Sequence, residues 1–386
     1  MKISEKGSAL ETSLTRQFFN IAKNYDDVID LTLGDPDLAP SEKIKQAACD
    51  TIMSGNTHYS SNAGLAKLRE VLAKHIKNEY ERTVDPETEI MVSVGGMGAL
   101  YLSIACLVNE GDEVVVLAPY YVNYIQMIKL AGGVPVVVNT TEENGFAPTK
   151  EQLQKAITKN TVAIILNSPC HPTGSVLSDE TLDMIAGFSV ENDLAVISDE
   201  VYSYLMYDGK KHSSIFTREG MRSRTVLIDS LSKRFSMTGY RVGYAVAPQE
   251  LIDAMTKMQE NVAACAPLPS QYAAITAYEQ CTGDEAILEI FEQRRNYICG
   301  AVNSINGLSC TCPQSTFYLF VNIEKTGLSS FEFAKELLTQ KHVAVAPGIT
   351  YGDNYDNYVR IAFTLDIEKL EQAIERIADF VEGLIK

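Results

Sequence analysis

The sequence predicts an α/β protein: a mainly parallel, seven-stranded sheet sandwiched by helices, followed by a smaller α+β domain. Three observations predict it. Between residues 90 and 247, short β-branched and apolar runs recur seven times, each bounded by turn residues. Helical patterns separate the first five runs, the alternation that builds parallel sheets. The runs are also too apolar for a sheet with one face in water, so both faces need cover. Beyond about residue 285 the runs shorten and mix with helices, which is an α+β pattern.

Taken in order, residues 1–30 read as an arm with one helix at 12–23. The apolar run 29–33 stops at Gly34-Asp35-Pro36-Asp37, where glycine and proline supply turn chemistry. Ser41 caps a helix over 41–54, because its hydroxyl can accept from a free N–H of the first turn. The polar loop 55–64, bracketed by Gly55 and Gly64, leads into an amphipathic helix at 65–80. Strands follow at 90–94, 113–117, 134–138, 162–166, 194–198, 225–228 and 242–247, with helices at 97–108, 121–130, 150–157 and 178–191. Helices at 249–261, 270–280 and 284–303 come next. Short strands at 316–322, 343–346 and 357–363 then mix with helices at 329–339 and 367–385. The expected organisation is an arm and part of the small domain over 1–44, a large domain over 45–284, and a small C-terminal domain over 285–386.

Composition narrows the functional classes. The 386 residues are 46% hydrophobic and 22% charged, ordinary for a folded globular protein. The formal net charge of −17 argues against nucleic acid or an anionic membrane as partner, since such binding needs a basic face. Residues 1–17 lack the apolar core of a signal peptide, and no run approaches the roughly 18 apolar residues of a transmembrane helix. The eight cysteines, at 49, 106, 170, 265, 281, 299, 310 and 312, form no Cys-x-x-Cys pair. They are expected to be reduced small hydrophobes in a cytoplasmic protein, and no metal site is expected.

Chemistry gathers where strands end. The run 225–229 closes on Ser230-Leu231-Ser232-Lys233, with Gly239-Tyr240-Arg241 close behind. Two hydroxyls, an amine and a guanidinium suit a phosphate, and a lysine among apolar walls can form a Schiff base with an aldehyde. Alone, such a stretch is more often a solvated loop. Val94-Gly95-Gly96-Met97-Gly98 passes from strand to helix. Its glycines either admit an anion to backbone N–H groups or make a tight turn, and it is neither a Walker loop nor a Rossmann fingerprint. Ser198-Asp199-Glu200-Val201-Tyr202 sets an acid at a strand end, where it can hold a protonated pyridine nitrogen or cap a helix. Asn167 to Gly174 is a fixed polar turn, and Ala118-Pro119-Tyr120-Tyr121 offers a ring face. Five strand ends thus supply an anion loop, a ring face, a polar turn, an acid and a lysine. Open α/β sheets bind ligands at that edge.

Gly34-Asp35-Pro36-Asp37, Gly95-Gly96, Pro172-Thr173-Gly174, Asp199-Glu200-Val201-Tyr202, Ser230-Leu231-Ser232-Lys233 with Arg241, and Tyr358-Val359-Arg360-Ile361-Ala362-Phe363 stand in a familiar order and spacing. In these motifs, over about residues 28–385, the chain resembles the class I/II aminotransferases, pyridoxal 5'-phosphate enzymes of fold type I. It is most similar to their bacterial aspartate/aromatic subgroup. The resemblance implies that Lys233 is the catalytic residue, holding the cofactor as a Schiff base and shuttling a proton. Asp199 would pair with the pyridinium nitrogen, Tyr202 would hydrogen-bond the ring oxygen, and Tyr121 would stack on the ring. The backbone of Gly96 and Met97, with Ser230, Ser232 and Arg241, would hold the phosphate, joined by Tyr59 of the partner subunit, which implies a homodimer; Gly95 would belong to the same cofactor-binding loop. Arg360 would bind the substrate α-carboxylate bidentately, with the backbone of Gly34.

One position departs from the family. Where an asparagine usually precedes Pro-Thr-Gly, this chain has His171. A neutral imidazole can still donate one hydrogen bond to the cofactor's ring oxygen, but it is bulkier and titratable, so it either replaces the donor or changes the reaction. The implied function is transfer of an amino group from an L-amino acid to a 2-oxo acid by ping-pong chemistry. The alternative is a lyase, decarboxylase or oxidase using the same cofactor and site. A regulatory binding module is disfavoured, because such regulators carry an extra DNA-binding domain for which the chain has no room. The stretches 97–108 and 266–271 contain no charged residue, which weakens a strict aspartate reading. A cation for a second carboxylate would come from the arm, such as Arg16, or from the partner subunit.

Overall fold

The computed structural model describes residues 1–8, 10, 14–25, 27–281 and 284–385, without the side chains of 5, 15, 16, 19 and 284–286. The strands are β1 (Ile29–Asp30), β2 (Ile90–Val94), β3 (Glu113–Ala118), β4 (Val134–Asn139), β5 (Thr161–Asn167), β6 (Ala195–Asp199), β7 (Thr225–Ser230) and β8 (Val242–Val246). In the C-terminal part they are β9 (Ser309–Cys310), β10 (Tyr318–Asn322), β11 (Val343–Ala344), β12 (Ala346–Pro347) and β13 (Tyr358–Ala362). The large sheet has the order β2-β8-β7-β6-β5-β3-β4. Its internal pairs β4–β3–β5–β6–β7 are parallel, whereas β8 runs antiparallel to both of its neighbours.

Burial explains why these runs are almost wholly apolar. Successive side chains of a strand face opposite layers. Val114, Val116, Ile165, Val226 and Ile228 pack with Leu100 and Ile104 of helix Gly95–Leu107 on one face. Val115, Ile164, Leu166 and Val196 pack with Leu182, Ile185 and Phe188 of helix Asp179–Glu191 on the other. At the β2–β8 end, Leu227, Val242 and Tyr244 meet Leu68, Leu72 and Ile76 of helix Ala66–Tyr80. The edge strand β4 is the exception, leaving Val134 and Val137 exposed.

A second, antiparallel sheet has the order β12-β13-β10-β9, and β1 pairs in parallel with β11. The arm is thereby tied to the C-terminal part. Phe18, Ile29 and Leu31 share one core with Phe317, Val321, Ile361 and Phe380. Ser41 caps helix Glu42–Met53 as expected, its Oγ accepting from Ile44 N at 3.5 Å. The arm helix spans Leu14–Ala22; its expected start at Thr12 lies outside the described residues.

Two expectations need correction. The run 343–346 is two short strands in different sheets, β11 and β12. Cys299 and Cys312 are joined as a disulfide, Cα atoms 5.8 Å apart, while the other six cysteines are free. Pairing of β9 with β10 turns the chain back beside helix Asp284–Ser304 and brings Cys312 to Cys299. No local spacing announces that contact.

Candidate active site

The carboxyl ends of the parallel strands open onto one cavity of about 550 Å³. Gly34, Gly96, Met97, Tyr121, His171, Asp199, Tyr202, Ser230, Ser232, Lys233, Arg241 and Arg360 all line it. Gly95 lies directly beneath. It turns β2 into its helix at φ +69°, and a Cβ there would stand 2.5 Å from Arg241 Nη2. Tyr59 is the one candidate set apart: its ring is exposed on the protein surface and lines no part of the cavity.

One end of the cavity is built for an anion. Ser230 Oγ accepts from Ser232 N at 3.1 Å and lies 2.9 Å from Ser232 Oγ, which fixes both hydroxyls at the end of β7. Arg241 Nη1 donates to Thr238 O at 2.7 Å, leaving its remaining donors available. The helix beginning at Gly95 brings free backbone N–H groups and the positive end of its dipole to the same place.

Asp199 marks a different demand. Tyr124 Oη donates to its Oδ2 at 2.6 Å, but Oδ1 is buried with no hydrogen-bond partner among the described residues. Burial raises its pKa to about 6, against the opposing pull of the Tyr124 hydroxyl and the Val201 N–H. A buried carboxylate with an empty acceptor site is costly unless a cation meets it. Asn167 steadies the same strand end by donating from Nδ2 to Asp199 O at 3.0 Å.

Lys233 sits one turn beyond β7, and its Nζ donates to Gly34 O. Burial lowers its pKa to about 8; Asp35 opposes that shift, while the Arg360 and Arg241 charges add to it. Tyr202 Oη donates to Tyr318 Oη at 3.2 Å. Tyr121 receives Asn123 Nδ2 on its hydroxyl at 2.7 Å and meets the His171 ring edge-on, with centroids 5.2 Å apart.

Arg360, on β13, is gripped from several sides. Nη1 lies 2.7 Å from His171 Nε2 and Nη2 donates to Thr32 O. The guanidinium carbon lies 4.6 Å from the Tyr318 ring centroid and 5.5 Å from that of Tyr351. Sequence reasoning missed Tyr318, Tyr124, Asn123 and Tyr351. Tyr318 is the most consequential: it touches the environments of Tyr202, His171 and Arg360 together. A Cβ on Gly34 would overlap its hydroxyl, which is why glycine occupies that position. Nothing local in the sequence marks it; only the pairing of β10 with β13, where Phe320 opposes Arg360 and Tyr318 lies two residues along on the same face, brings it to the arginine.

The family model "Aminotransferase class I and II" matches residues 26–377. The aspartate aminotransferase of Pyrococcus abyssi is 40% identical over 380 residues, covering 98% of this chain and 97% of that protein. The aromatic-amino-acid aminotransferase 2 of Thermococcus litoralis is 38% identical over 98% of this chain and 97% of its own length. A solved aromatic aminotransferase from Pyrococcus horikoshii superposes with a TM-score of 0.90 at 38% identity, covering 95% of this chain and 99% of that one. On its strand-end site and on these matches across nearly its whole length, the chain belongs to the class I and II aminotransferases.

Proposed function

We propose that this aminotransferase moves the amino group of an L-amino acid to a 2-oxo acid by a ping-pong route, with pyridoxal 5'-phosphate as cofactor and Lys233 as its covalent anchor. The observation that carries the reading is one cavity holding both a half-buried lysine of lowered pKa and a buried carboxylate oxygen without a hydrogen-bond partner among the described residues. The cofactor fits these residues. A volume of about 550 Å³ lies within the usual range for small-molecule sites. Asp199 Oδ1 would accept from a protonated ring nitrogen, and Ser230, Ser232, Arg241 and the N–H groups of Gly96 and Met97 would hold the phosphate. When bound, the cofactor supplies an electron sink for the pair released from the substrate Cα–H bond.

The chain's own residues supply the rest. At pH 7 about a tenth of an amine with a pKa near 8 is uncharged, so Lys233 Nζ can both take and return a proton. Arg360 binds the α-carboxylate and fixes the position of Cα; Thr32 and the Tyr318 ring hold that arginine in place. Tyr121, Tyr202 and Tyr318 form aromatic walls of the cavity. The names of the relatives support amino transfer over the lyase, decarboxylase and oxidase reading.

The cavity's cations are Lys233, Arg241 and Arg360, each with a role above; Leu33, Leu100, Val122 and Tyr351 add apolar lining. That lining favours aromatic or aliphatic amino acids over dicarboxylates. The Arg16 side chain lies outside the described residues. Tyr59, 88% exposed, is available to reach the phosphate site of a second copy in a homodimer. No described helix is long and apolar enough to cross a membrane. The test is transfer from a panel of ¹⁵N-labelled L-amino acids to 2-oxo acids. Label in the new amino acid, with parallel double-reciprocal plots, supports the proposal. Release of ammonia or carbon dioxide, or uptake of oxygen, without labelled product would overturn it.

A further inference from the structure

His171 occupies the turn after β5, against the arginine that anchors the carboxylate. Arg360 Nη1 stands 2.7 Å from His171 Nε2. A guanidinium has only donors, so Nε2 must be the acceptor. An imidazole that accepts at Nε2 and has one proton carries it on Nδ1 and is neutral. The surroundings favour the neutral ring, while Nδ1 itself is buried with no hydrogen-bond partner among the described residues. His171 is buried, and burial, followed by the Arg360 and Lys233 charges, pushes its pKa well below the ordinary value. The groups that face it are Arg360 from β13, Lys233 from the turn after β7, and the rings of Tyr121, Tyr318 and Tyr351. Among these none is a carboxylate that would stabilise an imidazolium. Asn167 Oδ1 accepts from the His171 backbone N–H at 2.8 Å and fixes the residue from behind.

We propose that His171 is a positioning residue for Arg360: a neutral imidazole, protonated at Nδ1, accepts from Nη1 and with Thr32 O fixes the guanidinium plane for the substrate carboxylate. The inference rests on the reading of Arg360 as carboxylate anchor. It assigns the side chain a protonation state and a partner. Removing the acceptor leaves a charged donor buried and unpaired, so Arg360 swings or draws in water and the carboxylate site loses its shape.

The test has two arms, both on the full-length protein with and without pyridoxal phosphate. In the first, ¹⁵N-histidine NMR reads the tautomer, with the His171 signals assigned among the five histidines by their loss in His171→Asn. A pyridine-type Nε2 and a pyrrole-type Nδ1 across about pH 5 to 8 is the expected result. In the second, calorimetry measures binding of 3-phenylpropanoate, a carboxylate without an amine. His171→Leu should bind it about ten- to a hundredfold more weakly, and His171→Asn, which keeps an acceptor, should recover to within about threefold of wild type. A protonated Nε2 in that pH range, or unchanged affinity in His171→Leu, overturns the role of His171 alone. Binding by Arg360→Leu as tight as wild type, or none by wild type, overturns the reading of Arg360 and this proposal with it. The tautomer measurement is made on wild type and stands even if His171→Leu fails to fold.

Discussion

Asp199 concentrates the conflict between stability and function. Its pKa rises from 3.8 to about 6 on burial, so the folded cofactor-free chain binds more protons than the unfolded one over that window. Stability therefore falls as pH rises from about 4 to about 6, by roughly 1–3 kcal/mol. Asp199→Asn should melt higher than wild type above pH 6 without cofactor, with the gap closing below pH 4. The same variant, with cofactor, should transfer amino groups at least about a hundredfold more slowly, because a neutral amide cannot pair with a ring cation. Equal melting temperatures across that range would refute the buried-charge penalty. Arg360→Lys tests the other polar pole. A point charge replaces the planar fork, so KM for the amino acid should rise about tenfold or more, with a smaller change in kcat.

The strand ends are the elements on which the site depends, and Gly95 is their tightest joint. At φ +69° it adopts a left-handed conformation, and its missing Cβ makes room for Arg241. Gly95→Ala should cost about 1–2 kcal/mol in backbone strain and displace the flexible arginine end. Affinity for pyridoxal phosphate should drop about tenfold while the far sheet is undisturbed, as read by equilibrium dialysis beside a thermal melt. These elements were legible because β-branched apolar runs stop abruptly at charged and glycine residues, and every expected strand of the large sheet formed within a residue or two of its bounds. The direction of β8 was not legible in the same way. Its connection to β7, residues 231–241, is too short for a crossover, and the strand turns back antiparallel. Tyr318 and Tyr124 were hidden for another reason. An aromatic residue in an apolar segment looks like core, and only the pairing of β10 with β13, or the approach of Tyr124 to Asp199, gives it a polar task.

At the scale of the molecule, the arm and the two larger sheets bring groups from residues 34 to 360 around a single amine, and the proposed reach of the exposed Tyr59 into a second copy's site is open to test. If Tyr59 serves the partner's site, Lys233→Ala and Tyr59→Ala chains, each impaired alone, should complement when co-assembled. Random pairing would give about a quarter of the sites both native residues. Activity no higher than the sum of the two variants would argue that each chain works alone. The covalent role of Lys233 is tested most directly by borohydride reduction of the full-length protein with pyridoxal phosphate, followed by digestion and mass spectrometry. A phosphopyridoxyl group on Lys233, absent from that peptide when an amino acid donor is added first, is the expected result. Label distributed over exposed lysines, or none on Lys233, would contradict the central assignment.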